Sequence, residues 1–259
     1  MRKIQQAPVV VMDFSRVYEL EKFADNPDFI HLDCTDVHGS ECILSQDAEQ
    51  EIRRRISPYD ARGIHFIDSG DYHYMTRLWT DKIQTPFTLL LVDHHTDMQP
   101  SQVPGIVTCG NRVNSVIDHN PYLRKVILLG MPEDALAQIP PSYRNRVEYI
   151  SKQQFSDILR GKLRLQTTGA IYLSIDKDVL SRQYVITNWD QGDITLEESL
   201  QFVSLLLDNE HLLGIDVCGE FPIMKSLFDE KRATDMDSLA NEVILDTVEE
   251  HVQTQQVPL

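Results

Sequence analysis

The sequence predicts an α/β protein: a doubly wound, mostly parallel sheet of about eight strands, covered by helices on both faces. Three observations predict it. Short runs rich in β-branched and aromatic residues recur along the chain, helical patterns fall between them, and several of the runs are apolar throughout. Continuous apolar strands are those of a parallel sheet buried on both sides, and alternation with helices supplies the crossovers.

The first strand is expected at residues 8–12, where Val9, Val10, Val11 and Met12 end at Asp13, and the second at 29–33. A charged, periodic stretch at 46–56 predicts a helix. A strand at 63–68 leads into a short amphipathic helix at 72–82. Leu89-Leu90-Leu91-Val92 marks a buried strand at 87–93, followed by a helix at 111–118. Strands at 125–130 and 147–150 precede a helix at 152–160. Ala170-Ile171-Tyr172-Leu173 marks a strand at 170–176. The helix at 196–207 is announced by Thr195 with Glu198 three residues on, a capping box. A strand at 212–217 and a closing helix at 237–251 complete the series. No Gly/Ser-rich linker, low-complexity tract or repeat divides the chain, so residues 1–259 read as one domain, a length α/β folds commonly reach.

With 42% hydrophobic and 25% charged residues, the chain can build a large core, and global disorder is excluded. A formal net charge of −16 argues against a nucleic-acid or anionic-membrane surface, because phosphate recognition rests on Lys and Arg. The four cysteines, Cys34, Cys42, Cys109 and Cys218, have no CxxC spacing and fit free thiols in a reducing compartment. Met1 to Gln6 carry two basic residues, and the apolar run behind them is too short for a signal peptide. No window approaches the roughly 20 apolar residues of a membrane helix. A cytoplasmic protein is the expectation.

Two acidic segments close apolar strands: Asp93-His94-His95-Thr96-Asp97 and Ser174-Ile175-Asp176-Lys177-Asp178. If the strands continue, alternation puts Asp93, His95 and Asp97 on one face, and Asp176 with Asp178. Carboxylates gathered at buried strand ends repel one another unless something positive sits between them, and a divalent metal is the simplest candidate. Asp68-Ser69-Gly70-Asp71-Tyr72-His73 follows a third strand and adds an imidazole. The expected ligands are therefore His73, Asp93, His95, Asp97, Asp176 and Asp178. Carboxylate and imidazole without thiolate suit Mn²⁺ best, with Fe²⁺, Co²⁺ or Zn²⁺ as substitutes. Four carboxylates offset two divalent ions, which at a spacing of about 3.5 Å would ionise a shared water near neutral pH. A lone Asp-x-Asp is usually a turn or a cap; the conjunction of three such segments at strand ends carries the inference. His31, His38, His65, His119, His211 and His251 read as ordinary core or surface residues.

These segments resemble the ureohydrolases, the family of arginase, agmatinase and formiminoglutamase. The family's Asp-Ala-His-x-Asp motif is met by Asp93 to Asp97, and its Ser-x-Asp-x-Asp by Ser174 to Asp178. Its Gly-Gly-Asp-His is met loosely by Ser69-Gly70-Asp71-Tyr72-His73, with one extra residue. Asp216-Val217-Cys218-Gly219-Glu220-Phe221-Pro222 is similar to the late segment whose Glu faces the substrate guanidinium, again with one extra residue. The resemblance implies a three-layer α/β/α fold and two Mn²⁺ ions per chain. His73, Asp93, Asp97 and Asp176 would hold one; Asp93, His95, Asp176 and Asp178 the other, with Asp93 and Asp176 bridging. It implies hydrolysis of a linear C–N bond in a guanidino, amidino or formimino substrate by metal-activated hydroxide. Asp178 would orient the hydroxide and relay its proton, and Glu220 would face the substrate. Homo-oligomers, trimers or hexamers, are the family expectation.

The sequence departs from the family in two places. Thr108-Cys109-Gly110-Asn111 stands where the family has His-Gly, the His being a proton shuttle, so Cys109 takes that position. The family's Gly-Thr-Gly-Thr-Pro loop is replaced by residues 179–192, which include Trp189 and Asp190. Trp189 could stack on a planar or cationic group. Cys109, Asn111, Trp189 and Asp190 are thus the expected substrate contacts. Two other readings stand beside the hydrolase: a deacetylase-like amide hydrolase, distinguished by one metal rather than two, and a non-catalytic, metal-stabilised binding protein.

Overall fold

The computed structural model describes residues 8–101, 105–222 and 227–254, so the expectation for Met1 to Gln6 lies outside the described residues. Among the described residues there are ten strands: β1 (Val9–Asp13), β2 (Ile30–Asp33), β3 (Ile43–Leu44), β4 (Ile64–Phe66), β5 (Phe87–Val92), β6 (Val107–Thr108), β7 (Leu123–Leu129), β8 (Val147–Ile150), β9 (Ala170–Asp176) and β10 (Leu212–Cys218). Eight of them form one sheet in the order β2-β1-β4-β10-β9-β5-β7-β8, with every pairing parallel. This is the predicted sheet. β3 and β6 form a separate antiparallel ribbon of two residues each, too short for any periodicity to announce.

The helices are α1 (Gln46–Ile56), α2 (Met75–Thr80), α3 (Arg112–His119), α4 (Lys152–Leu159), α5 (Leu196–Asn209) and α6 (Leu227–Thr254). Alternate strand residues feed two cores. On one face Val10, Met12, Leu89, Leu91 and Tyr172 pack under Ile52 of α1, Leu78 and Trp79 of α2 and Val116 of α3. On the other, Val11, Phe66, Leu90, Leu173 and Ile215 pack under Phe155 of α4, Phe202 of α5 and Ile244 of α6. The result is three layers, helices over sheet over helices. Thr195 caps α5 through the predicted box with Glu198. Among the described residues no helix is long and apolar enough to cross a membrane.

Two expectations change. The single helix expected at 72–82 is broken into a 3-10 turn, Gly70–Tyr72, and the shorter α2, with His73 at the junction. The break turns that imidazole toward the sheet. The strands at 87–93 and 170–176 do not continue through the acidic motifs: the first stops at Val92, and the second ends at Asp176 in a 3-10 turn, Lys177–Val179. Local hydrogen bonds do the bending, His95 N to Asp93 Oδ1 (2.6 Å) and Asp178 N to Asp176 Oδ1 (2.9 Å). These Asx turns, and Asp97 in the left-handed region at φ 48°, converge the carboxylates where simple alternation would not.

The central strands are tied together just beyond their carboxyl ends by Asp68. Its carboxylate accepts from Phe14 N, Ser15 N and Ser15 Oγ (2.7–2.8 Å), and its carbonyl from Gly219 N and Glu220 N. On the α6 side, Lys177 is fully buried with its ammonium 2.5 Å from Glu220 and 3.5 Å from Asp237. Glu220 also accepts from Tyr18 Oη and from Asn241 Nδ2, which in turn donates to Glu21. A buried cation among several carboxyls cannot be removed without leaving charge unpaired. Lys177→Met should therefore lower unfolding free energy by about 3–5 kcal/mol, read as a shift in urea midpoint at constant slope; a loss under about 1 kcal/mol would show that the cluster does not need its cation.

Candidate metal centre

β4, β10, β9 and β5 are neighbours, and their carboxyl ends form the floor of the candidate site. This is where open α/β sheets bind ligands. Asp93 continues the face of Leu89 and Leu91, and Asp176 and Cys218 lie opposite one another in the β9–β10 register. Three groups have potential ligand atoms within 4.8 Å of one another: His73/Asp93/Asp97, Asp93/His95/Asp178 and His73/Asp176/Cys218. All six residues expected from sequence are thus brought together.

His73, Asp93, Asp176 and Asp178 are buried and Asp97 nearly so, whereas His95 keeps about a third of its side chain exposed. His73 Nδ1 lies 3.0 Å from Asp176 Oδ2, 3.6 Å from Asp93 Oδ2 and 4.0 Å from Asp97 Oδ2. That nitrogen has no hydrogen-bond partner that satisfies the geometry, although the Asp176 carboxylate stands beside it. His95 Nδ1 sits 2.8 Å from Asp178 Oδ2 and 3.7 Å from Asp93 Oδ1. The Asp178 Oδ1 atom accepts from His94 N at 3.0 Å. The oxygen-rich donor set and its burial fit a divalent ion.

Burial raises the Asp178 carboxyl well above the usual carboxylate range, and the charges of Asp176 and Asp93 push it further. Burial acts on Asp176 in the same direction, but the imidazole of His73 outweighs it and holds that carboxylate low. Burial alone would lower His95, yet its hydrogen bonds to Asp178 and Asp93 hold it up at about 11. Burial carries the thiols of Cys42 and Cys109 to about 12, so neither is a ready nucleophile at neutral pH.

A cavity of about 200 Å³ opens above this floor, lined by His95, Asp97, Asp176, Asp178, Cys42, Cys109 and Trp189 among others. Cys109 and Trp189 therefore line the site as expected. The Trp189 ring is 6.0 Å from His95, edge to face, with Nε1 held by Asp71 Oδ1 at 3.1 Å. Asp71 also receives Asn188 Nδ2 and Cys42 Sγ, so it fastens the 179–192 loop over the pocket. Gly70 is needed beneath it, since a Cβ there would lie 2.8 Å from the indole. The site does not gather the other expected contacts. Asn111 caps the turn before α3, accepting from Thr108 N and donating to the Ile106 carbonyl, and lines a different surface cavity. Asp190 is exposed and faces away from the cavity lining. Glu220 is fully buried on Lys177 and Asn241, behind the sheet, so it is not presented to a substrate. Cys218 takes the place at the end of β10 that faces Asp176, with Sγ 3.2 Å from Oδ2.

Sequence reasoning missed Cys218, Asp71 and Arg112. Arg112 is fully buried at the first position of α3, with Nη2 2.7 Å from His73 Nε2 and 3.3 Å from Asp93 Oδ2, and with Nη1 paired to Asp97. Its signal was available: it shares the apolar helical face of Val113 and Val116, where a cation needs a partner. Of the histidines read as ordinary residues, His65 stacks on Trp79 at 3.8 Å in the core.

The fold is the arginase-like α/β fold, an eight-stranded parallel sheet between layers of helices. The chain is similar to agmatine ureohydrolase of Thermoplasma volcanium (TM-score 0.63, 14% identity, covering 99% of this chain and 94% of that one). It is likewise similar to Trypanosoma cruzi formiminoglutamase with Mn²⁺ (0.62, 13%, 95% and 96%) and to Entamoeba histolytica arginase in complex with L-ornithine (0.64, 13%, 96% and 99%). By sequence it is 27% identical over 212 residues to an uncharacterised Thermotoga maritima protein, covering 81% of this chain and 78% of that protein. No family model matches the chain.

Because its hydrogen bonds to the Asp178 and Asp93 carboxylates keep His95 protonated in the metal-free site at neutral pH, an incoming ion must displace that proton. Mn²⁺ binding should release protons and strengthen as pH rises from 6 toward 9, read by calorimetry in buffers of different ionisation enthalpy. Affinity independent of pH would remove His95 from the ligand set. Asp176→Asn should lower Mn²⁺ occupancy at least tenfold by elemental analysis.

Proposed function

We propose that this chain is a metal-dependent hydrolase that cleaves a linear C–N bond of a guanidino, amidino or formimino substrate. The observation that carries this reading is the convergence of His73, Asp93, His95, Asp97, Asp176 and Asp178 on the floor of a small cavity at the carboxyl ends of the central strands. The shared fold with agmatinase, formiminoglutamase and arginase supports it. Mn²⁺ is the expected ion, given the oxygen-rich donor set and its presence in the T. cruzi structure. When bound, such an ion supplies Lewis acidity and brings the ionisation of water near neutral pH.

The protein's own residues do the rest. Acidic walls and the face of Trp189 draw in a planar cationic head group, and the cavity of about 200 Å³ admits little more than that group. Asp178, raised in pKa and hydrogen-bonded to His95, is placed to take a proton from the attacking water and return it to the departing amine. Cys109, with its thiol held up at about 12, is no substitute for an imidazole shuttle, so Asp178 must carry both transfers. A second reading is a metal-dependent binding protein without turnover. The Cys at the shuttle position and the enclosure of Glu220 favour it.

Protein loaded with Mn²⁺ should release urea, ammonia, formamide or free amine from a panel of small guanidino, amidino and formimino compounds. Asp178→Asn should lower kcat by about 10²–10⁴, while Trp189→Ala should act mainly on KM. Tight binding of panel members with no product from the loaded protein would reject the hydrolase in favour of the second reading.

A further inference from the structure

We propose that the guanidinium of Arg112 stands in for one of the two cations, so that the chain holds a single divalent ion on Asp93, His95 and Asp178. The proposal rests on reading the site as a divalent-metal centre. It differs from the two-ion expectation because three of the four groups allotted to one ion, His73, Asp93 and Asp97, are engaged by Arg112.

The chemistry of the contacts leaves little room for an ion there. An Arg side chain is a permanent cation that only donates hydrogen bonds. Nη2 at 2.7 Å from His73 Nε2 therefore makes that nitrogen the acceptor, and the neutral ring carries its proton on Nδ1. Nδ1 is the atom facing Asp176, Asp93 and Asp97, and in this tautomer it has no lone pair to offer a metal. Asp93 Oδ2 and Asp97 Oδ2 are turned to the guanidinium as well. Nε adds a long contact to Thr76 Oγ1 at 3.4 Å. Arg112 is completely enclosed at the start of α3, between Asn111 and the core residue Val113, with no solvent path by which it could swing aside.

The second ligand group is untouched by Arg112. It uses the other oxygen of Asp93, Oδ1, together with His95 Nδ1 and Asp178 Oδ2, and it opens to the cavity. Arg112 and one divalent ion bring three positive charges to Asp93, Asp97, Asp176 and Asp178. Arg112 with two ions would bring five, and would place a divalent ion in contact with a guanidinium.

The test is the Mn²⁺ content of the full chain after incubation with excess MnCl₂ and desalting, read by elemental analysis and by electron paramagnetic resonance. One Mn²⁺ per chain, with the spectrum of an isolated ion, is expected. Arg112→Ala should admit a second Mn²⁺ and give an exchange-coupled spectrum, whereas Arg112→Lys should stay at one. Two exchange-coupled ions in the wild-type chain would overturn the proposal while leaving the metal-centre reading intact, and need no variant to fold. No bound Mn²⁺ at all would overturn both. A folded Arg112→Ala that still binds one ion would overturn the role given to Arg112.

Discussion

Mutual repulsion among buried carboxylates is the constraint from which the rest of this structure follows. Asp93, Asp97, Asp176 and Asp178 are brought within a few ångströms of one another at strand ends that water barely reaches. A polypeptide holds such a cluster only where positive charge is supplied, by a proton, a side chain or an ion. Each recourse is visible: a proton on His95, the guanidinium of Arg112, and an open ligand group facing the cavity. The same logic runs on the far side of the sheet. Lys177, between the two aspartates of its motif, turns the other way and neutralises Glu220 and Asp237 beneath α6. One short segment therefore sends negative charge to the site and positive charge to the packing of the last helix.

The sheet was legible because its strands are apolar on both faces, and the buried Leu and Ile runs of β5 and β9 admit no other placement. The ligand set was legible because carboxylate and imidazole at strand ends are hard to explain without a cation. Less legible was how the motifs bend. Alternation along a strand was the wrong device; local Asx turns and the left-handed Asp97 place the oxygens, and such turns leave no period to read. Glu220 shows the same difficulty. Its segment resembles one that faces substrate, yet Glu220 is buried against Lys177 while Cys218 stands beside Asp176. The β3–β6 ribbon, which sets Cys42 and Cys109 at the mouth, is two residues per strand and left no periodic trace.

Metal count is the usual way to tell two-ion ureohydrolases from single-ion amide hydrolases on related sheets. A permanent side-chain cation inside the cluster removes that distinction and leaves the released product as the criterion. It also divides the work between residues. The groups around Arg112 would serve as a fixed, charged floor, and the chemistry would fall to the half of the cluster that opens to solvent, where His95, Asp178 and Trp189 meet.

The placement of the tryptophans has an optical consequence. The chain has two: Trp79 is sealed in the core against His65, whereas Trp189 is 37% exposed and lies edge-on to His95. Emission from the first reports the integrity of the interior, and emission from the second responds to whatever enters above the acidic floor. The molecule thus has a built-in pair of fluorophores, one serving as internal standard for the other.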